Sequence, residues 1–369
     1  MDFANRVDAV IDAAIGRKIV GTTVLVAVDG ELAYSRVAGF ADREAGRPAA
    51  LDTIYRLASF TKPIVSSVAL AMMDRGLLRL DQPVTDFLPW FTPALPDGTV
   101  PVITIRHLLT HTAGIDTGSA AVVALGVQGI GDNTDLTLEE NLRRLAQAPL
   151  LYPPGTGWVY SKSIDVVGGV IAAIERTTLG AAVDKYVTGP LGMKDTTFLV
   201  TETDRLSAAY ADGVGEPIRM GERHFVPDAN GGAGNTFAPA RSLNPGAFHG
   251  GNFAMAGTGP DFLALLETLR KGGAPILRPE TVAMATRNQI GDVDRGPGYK
   301  FGLLSAVVTD STAAGVPQAA GSYDWGGVYG CSWFVDPTNR FSVVMMTNTA
   351  VEGCTGAYPL DIRNAIYGV

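Results

Sequence analysis

A serine and a lysine three residues apart, Ser59 and Lys62, could together carry out covalent chemistry in this 369-residue chain. A serine hydroxyl is a weak nucleophile at neutral pH, and a neighbouring neutral amine can take its proton. Side chains at this spacing meet on one face of a helix. The Ser-x-x-Lys pattern occurs once here, and chance alone gives about one in a chain of this length. The pair therefore predicts an activated nucleophile only if its surroundings agree.

The segment around the pair predicts that Ser59 lies at the start of a helix. An apolar run at 63–73 follows and ends at Asp74-Arg75-Gly76, and glycine commonly follows a last helical turn. Unpaired N–H groups and the positive end of the helix dipole favour an oxyanion at that position and disfavour a charged lysine. A capping serine beside a solvated lysine is the alternative, and this segment alone does not separate the two.

Tyr160-Ser161-Lys162-Ser163 is a second segment that could carry chemistry. It follows a Pro-Pro-Gly turn that begins at Pro153 and precedes an apolar, helix-like run at 164–174. A phenol near ammonium groups can be partly ionised and can relay protons to a leaving group. An aromatic side chain packed at a helix start is the alternative.

A third segment, Trp325-Gly326-Gly327-Val328, directly precedes a β-rich run that starts at Cys331. Paired glycines let a strand edge approach a ligand closely, so a backbone N–H there can stabilise an oxyanion. Taken alone, the segment also fits a turn.

The remaining motifs predict neither a metal nor a cofactor. His107 and His111 have the i,i+4 spacing of helix-borne metal ligands, but no glutamate follows His107 and no third ligand is evident, so buried structural histidines are favoured. His249 is predicted to line the cleft through its loop. The chain has no Gly-x-Ser-x-Gly nucleophile elbow, which disfavours a Ser-His-Asp triad, and it has no phosphate-binding loop or dinucleotide fingerprint.

Both ends of the chain predict strands that could position these groups. Runs at 22–28 and 32–37 are rich in β-formers and meet at Asp29-Gly30, a strong hairpin signal. Runs at 331–335 and 341–347 form a second pair. Helices are predicted at 1–16, 105–110, 138–147, 261–271 and 359–367, and the glycine-rich stretch at 230–235 is predicted to be a loop.

This pattern predicts an α+β fold in which strands from both termini form one antiparallel sheet that carries a mostly helical insertion. The predicted boundaries place 1–78 and 275–369 in the sheet domain and 79–274 in the helical domain. We expect the active site at the interface of the two, because clefts favour domain interfaces.

Composition disfavours several classes of partner. The chain has 29 basic and 37 acidic residues, a net charge of −8, and no basic run, which disfavours nucleic acid and anionic membranes. Its two cysteines, Cys331 and Cys354, could form one bridge, but free thiols are favoured. No signal-peptide pattern and no apolar stretch of membrane-spanning length is evident, so we expect a cytoplasmic protein. The sequence does not predict its oligomeric state.

In order and spacing, these segments resemble the serine β-lactamase and penicillin-binding superfamily, in particular its class C-like branch with the DD-peptidases and the family VIII carboxylesterases. The resemblance covers nearly the whole chain and includes Ser59-x-x-Lys62, the stretch at 103–114, the turn into Tyr160 and the strand end at 333–337. It implies a β-lactamase/transpeptidase-like fold. It also implies that Ser59 is acylated, that Lys62 is its base, that Tyr160 relays a proton to the leaving group, and that the N–H groups of Ser59 and Val328 form the oxyanion hole.

Two departures from the family pattern bear on the substrate. Trp325-Gly326-Gly327 stands where Lys-Thr-Gly is usual in β-lactamases and peptidases, so the groups expected to hold a substrate carboxylate are missing, and an indole favours neutral acyl groups. Lys162 stands where asparagine is usual. It either points into the site, where it could depress the pKa of Lys62 or Tyr160 or bind an acid group, or it is solvated.

We therefore predict a serine carboxylesterase that hydrolyses small-molecule esters with small acyl groups, with water as its second substrate. A β-lactamase, a D-amino-acid peptidase or amidase, or an acyltransferase on the same scaffold are the enzymatic alternatives. A non-catalytic ligand-binding homologue is the alternative outside enzymes.

Overall fold

The computed structural model of the chain describes residues 3–213, 215–227 and 234–369, so most of the predicted loop at 230–235 lies outside the described residues. Strands from the two ends of the chain form its main sheet. The strands are Gly21–Val28 (β1), Glu31–Asp42 (β2), Arg47–Pro48 (β3), Tyr55–Arg56 (β4), Tyr210–Ala211 (β5), Ile218–Arg219 (β6), His224–Val226 (β7), Asn235–Phe237 (β8), Ala256–Gly257 (β9), Tyr299–Phe301 (β10), Ala306–Val308 (β11), Tyr323–Gly327 (β12), Cys331–Asp336 (β13), Phe341–Thr347 (β14) and Thr349–Ala350 (β15).

The main sheet has eight strands in the order β10-β11-β12-β13-β14-β1-β2-β3, and each neighbouring pair is antiparallel. β1 and β2 are joined by Asp29 and Gly30, whose φ angles of 53° and 95° are those of a tight hairpin turn. β1 also pairs with β14, with Leu25 opposite Val344. The N-terminal hairpin is thus joined to the C-terminal strands, and the prediction of one sheet built from both termini is confirmed.

Helices cover both faces of this sheet. They are Ala4–Ala14 (α1), Thr61–Asp74 (α2), Ile105–Leu109 (α3), Ala120–Ala124 (α4), Leu138–Leu145 (α5), Ser163–Glu175 (α6), Leu179–Val183 (α7), Gly189–Leu191 (α8), Gly259–Arg270 (α9), Pro279–Ala285 (α10), Ser311–Ala314 (α11), Glu352–Thr355 (α12) and Ala357–Tyr367 (α13). The predicted helices at 1–16, 105–110, 138–147, 261–271 and 359–367 correspond to α1, α3, α5, α9 and α13.

Side chains of β1 alternate between two cores, as the period of a strand requires. Val24 and Val26 pack with apolar side chains of α1 and α13 on one face. Leu25, between them, faces a larger core that it shares with α2, α6 and α9. Because both faces are covered, β1 reads as a nearly continuous apolar run.

Caps explain where several middle helices begin. The Thr104 side chain accepts a hydrogen bond from the N–H of His107 at the start of α3, and Thr137 accepts one from Glu140 at the start of α5.

The division of the chain into two domains at residues 78 and 275 stays a prediction.

No single helix in the described ranges is both long and apolar enough to cross a membrane. The helical segments Ser163–Glu175 and Leu179–Leu191 reach that length and composition only as a pair, which is bent by 83°. Cys331 and Cys354 are both free thiols, as the sequence favoured.

Candidate active site

Ser59 lies in a short 3-10 turn, Ala58–Phe60, that leads directly into α2. Ala58 has a φ of 46°, a left-handed conformation that costs a residue with a Cβ about 1–3 kcal/mol. Buried packing holds this turn in place, because Phe60 is fully buried and its ring lies 4.3 Å from that of Phe262 in α9. The strained turn presents Ser59 at the N-terminal end of α2, where the sequence predicted a helix start.

Lys62 lies in the first turn of α2 and is 5% exposed. Its Nζ lies 3.2 Å from Ser59 Oγ and donates a hydrogen bond of 2.8 Å to the carbonyl oxygen of Asn252. Burial lowers the pKa of Lys62 to about 7; Asp165 opposes this shift and Lys162 adds to it. A neutral amine that donates to Asn252 keeps a lone pair for the Ser59 proton, so the geometry suits a general base.

Tyr160 is the second side chain in contact with Ser59 Oγ. Its hydroxyl donates a hydrogen bond of 2.7 Å to Ser59 Oγ and accepts one of 3.3 Å from the indole Nε1 of Trp325. Lys62 Nζ lies 4.4 Å from the centre of the phenol ring. Desolvation by the surrounding protein raises the pKa of Tyr160 and outweighs the hydrogen bonds from Ser59 and Trp325. The expectation of a partly ionised phenol is therefore wrong for this geometry: Tyr160 holds its proton and can donate it.

Asp165 and Asn252, which the sequence did not predict as site residues, hold Lys62 in place through hydrogen bonds. Asp165 is 1% exposed in α6 and accepts hydrogen bonds from the backbone N–H of Asn252 at 2.9 Å and from its Nδ2 at 3.1 Å. Asp165 thereby fixes the loop whose carbonyl oxygen binds Lys62. An aspartate within an otherwise apolar helical run was the available signal. Lys62, Asp165, Asn252 and Lys162 are called the polar network below.

Lys162 points into the protein. Its Nζ donates a hydrogen bond of 3.1 Å to the carbonyl oxygen of Gln128, and burial lowers the pKa of Lys162, against the opposing charges of Asp165 and Asp132. It forms no hydrogen bond with Ser59 or Tyr160 among the described residues. Its effect on the site is electrostatic, through its positive charge near Lys62.

The end of β12 meets the turn that carries Ser59. A Cβ on Gly327 would lie 2.2 Å from the carbonyl oxygen of Leu57, so only glycine allows this approach. A Cβ on Gly326 would lie 2.6 Å from Cys354 Sγ. Val328 follows β12, and its N–H forms no hydrogen bond within the described part of the chain. Its N–H is thus available to a substrate oxygen.

Aromatic rings surround Tyr160 on the side of β12. The Trp325 ring lies 5.1 Å from Tyr160 and 5.3 Å from Phe301, and Trp158 lies 5.5 Å from Phe301. The Arg295 guanidinium carbon lies 5.6 Å from the centre of the Trp325 ring. Trp158, Phe301, Trp325 and Arg295 are called the aromatic wall below; the sequence reading identified Trp325 alone.

The two histidines near α3 have structural contacts. His111 is 1% exposed, its Nδ1 accepts a hydrogen bond of 3.1 Å from the N–H of Ser161, and burial lowers its pKa well below the usual value. His107 Nδ1 accepts from the N–H of Thr104 in the cap of α3. No cluster of three or more potential metal ligands is found among the described residues.

His249 is not brought to Ser59 by any hydrogen bond or ring contact in the described ranges. Its ring stacks on Phe198 at 4.5 Å, and its Nδ1 accepts a hydrogen bond of 3.1 Å from the N–H of Gly180. It lines a cavity of about 630 Å³ whose lining includes neither Ser59 nor Tyr160. A role for His249 in substrate binding stays a prediction.

Comparison with known proteins gives a consistent result. The family model described as Beta-lactamase matches residues 7–361. The chain is 48% identical to Esterase EstB of Burkholderia gladioli over 99% of its own length and 95% of that protein's. It is 42% identical to the solved structure of EstCE1, a hydrolase with promiscuous acyltransferase activity, with a TM-score of 0.96 over 99% of this chain and 98% of that one.

A more distant structure shares only the fold. The unliganded simvastatin synthase LovD of Aspergillus terreus matches with a TM-score of 0.76 at 21% identity, over 100% of this chain and 98% of that one. The predicted β-lactamase/transpeptidase-like fold is confirmed. With a family match that spans nearly its full length, this chain belongs to the Beta-lactamase family.

Proposed function

We propose that this protein is a serine carboxylesterase that hydrolyses esters with small acyl groups through an acyl-enzyme on Ser59. The observation that carries the proposal is the pair of contacts to one oxygen: Ser59 Oγ lies 3.2 Å from Lys62 Nζ and 2.7 Å from the Tyr160 hydroxyl. One group can take the serine proton and the other can supply a proton to the leaving group. A non-catalytic ligand-binding role would not require this arrangement.

In acylation, Ser59 Oγ attacks the ester carbonyl carbon while its proton passes to neutral Lys62. The N–H groups of Ser59 and Val328 stabilise the negative oxygen of the tetrahedral intermediate. Tyr160 gives its proton to the departing alkoxide as the carbon–oxygen bond breaks, and the ammonium of Lys62 returns a proton to Tyr160. The order follows from the raised pKa of Tyr160, which keeps the phenol protonated until the alkoxide forms.

In deacylation, water takes the place of the alcohol. Lys62 removes a proton from the water as it attacks the acyl carbon, and the proton then returns to Ser59 Oγ as that bond breaks. The cycle needs no metal or cofactor. Small-molecule esters and water are its only required partners; a cytoplasmic location and the absence of nucleic-acid and membrane partners stay predictions.

The names of the relatives support ester hydrolysis over the other chemistries of this scaffold. This chain is 48% identical to Esterase EstB over the aligned residues. Acyl transfer to an alcohol is the second candidate, because EstCE1 is a hydrolase with promiscuous acyltransferase activity and is 42% identical to this chain. In this chemistry an alcohol replaces water in the second step. Cleavage of lactams is disfavoured, because the indole of Trp325 replaces the groups expected to hold a lactam carboxylate.

The test compares p-nitrophenyl acetate and butyrate with a chromogenic cephalosporin, for the wild type and Ser59→Ala. We expect ester turnover with little lactam cleavage, and we expect Ser59→Ala to lose about 10⁶-fold in kcat, as the removal of the serine nucleophile does in a serine protease. Dominant lactam cleavage would instead identify a β-lactamase. Ester turnover that survives in Ser59→Ala would exclude the acyl-enzyme.

A further inference from the structure

Arg295 lies in the segment between α10 and β10, and its guanidinium is surrounded by aromatic rings. Its central carbon lies 5.1 Å from the ring centre of Trp158, 5.0 Å from Tyr299, 5.9 Å from Phe301 and 5.6 Å from Trp325. Cation–π contacts of this kind hold a guanidinium in a fixed place while leaving its N–H groups free to bind an acceptor.

No acceptor within the described residues uses those N–H groups. Arg295 forms no hydrogen bond or ion pair there, and its buried Nε has no partner. Burial lowers the pKa of Arg295, and the charge of Asp324 opposes this shift only in part. The Asp324 carboxylate lies 3.6 Å from Arg363 and is shared with it. Arginine stays charged in proteins, and a largely buried cation is usually paired. The positive charge of Arg295 is therefore only partly compensated by Asp324, and an anionic ligand could compensate the rest.

The position of Arg295 indicates which part of a substrate it would meet. Trp325, one of the four rings around the guanidinium, donates its indole N–H to Tyr160, which in turn donates to Ser59 Oγ. The charge of Arg295 also contributes to the lowered pKa of His111, whose ring lies 4.9 Å from that of Tyr160. Tyr160 is the group that protonates the departing alkoxide, so the alcohol part of the ester leaves on this side.

We propose that Arg295 binds a carboxylate carried by the alcohol part of the substrate. The inference rests on the proposed esterase function and deepens it: the acyl group is small and neutral, whereas the alcohol is an aromatic or other flat group that bears an acid. A guanidinium matches a carboxylate with two parallel hydrogen bonds, and the rings of the aromatic wall would cover the apolar body of the alcohol.

The experiment uses pairs of acetate esters that differ only in charge on the alcohol: 3- and 4-acetoxybenzoate against 3- and 4-acetoxybenzamide. Kinetics are measured for the wild type, Arg295→Met and Arg295→Lys. Arg287→Met, an exposed arginine nearby, is the control for the lost net charge. We expect Arg295→Met to raise KM for at least one of the two benzoates by about 10- to 100-fold, as a charge-assisted hydrogen bond predicts, with less than about a twofold change for the amides.

Arg295→Lys should keep part of the preference, because it retains the charge but not the two-pronged geometry. Equal losses on benzoates and benzamides, or no loss on either, would overturn the proposal and leave Arg295 as a packing residue. Binding of 4-hydroxybenzoate to Ser59→Ala, measured by calorimetry with and without Arg295→Met, separates the two proposals. Binding that depends on Arg295 would support the anion site even if the wild type hydrolysed none of the esters, which would overturn the esterase proposal alone. Ester hydrolysis without Arg295-dependent binding would overturn the anion site alone.

Discussion

The polar network reaches Ser59 through Lys62 and the aromatic wall reaches it through Tyr160, and the two regions differ in burial, hydrogen bonding and charge. In the polar network, Lys62 and Asp165 are nearly inaccessible to solvent, with exposed fractions of 5% and 1%. Each has its hydrogen bonds made inside the protein: Lys62 to Asn252, and Asp165 to the same residue. The aromatic wall is partly exposed, makes few hydrogen bonds, and holds an arginine with no partner among the described residues.

The two regions therefore contribute different properties to the site. The polar network fixes protonation, because burial and the balance between Asp165 and Lys162 set the pKa of Lys62 to about 7. The aromatic wall cannot do so, since its rings do not titrate near neutral pH and its arginine stays charged. It offers shape and an unused positive charge instead, which are the properties that select a substrate. Changes in the network should therefore alter rate and pH dependence, and changes in the wall should alter KM.

Tyr160 contacts both Lys62 of the polar network and Trp325 of the aromatic wall, so we expect the loss of its hydroxyl to reduce kcat strongly. Tyr160→Phe loses the hydroxyl that contacts Ser59 and Trp325 and with it the proton for the leaving group, and we expect kcat to fall about 10²- to 10⁴-fold. The acid limb of the pH profile should stay in place, because Lys62 remains. Tyr152→Phe is the matched control, since the Tyr152 hydroxyl forms no hydrogen bond with Ser59, Lys62 or Trp325 among the described residues. Unchanged turnover in Tyr160→Phe would remove Tyr160 from the mechanism.

Substitution of Gly327 tests whether the close approach of β12 to the turn that carries Ser59 is needed for activity. A Cβ there would clash with the Leu57 carbonyl oxygen and push β12 away from the nucleophile turn. Overpacking of this kind costs about 1–3 kcal/mol, so we expect Gly327→Ala to lower both the free energy of unfolding and, by roughly tenfold, kcat for neutral esters. Urea unfolding and p-nitrophenyl butyrate kinetics measure the two effects.

Gly118→Ala is the control for Gly327→Ala, because a Cβ at Gly118 meets nothing within 4 Å. A Gly327→Ala protein with wild-type stability and wild-type kcat would show that the close approach of β12 to Leu57 has no role in placing the oxyanion donors.

The sequence predicted most of the fold and the residues in contact with Ser59 because those features are local. Asp29 and Gly30 of the hairpin turn are adjacent in the chain, and Ser59 and Lys62 are three residues apart. Strands at the two ends of the chain could be recognised separately, and a single antiparallel sheet was the simplest way to pair them.

The rest of the site depends on contacts that no local pattern records. Asp165 and Asn252 are 87 residues apart, and their hydrogen bonds exist only once the loop packs on α6. Arg295 reaches Trp158 across an even longer separation in the chain. The ionisation of Tyr160 was predicted wrongly because nearby lysines suggested a lowered pKa, whereas desolvation, which only the fold reveals, dominates.

Asp165 gives the smallest expected effect and the sharpest test of the polar network. Its negative charge favours protonated Lys62, so Asp165→Asn should lower the pKa of Lys62 further below about 7. A base that loses its proton more readily is active at lower pH, so the acid limb of kcat/KM should move down by roughly one pH unit, while kcat falls only a few-fold from the loosened Asn252 loop. Asp81→Asn, whose side chain is 83% exposed, controls for the charge change. A limb that stays in place, or moves to higher pH, would mean that Asp165 does not act on Lys62 through its charge and that the network positions the base without tuning it.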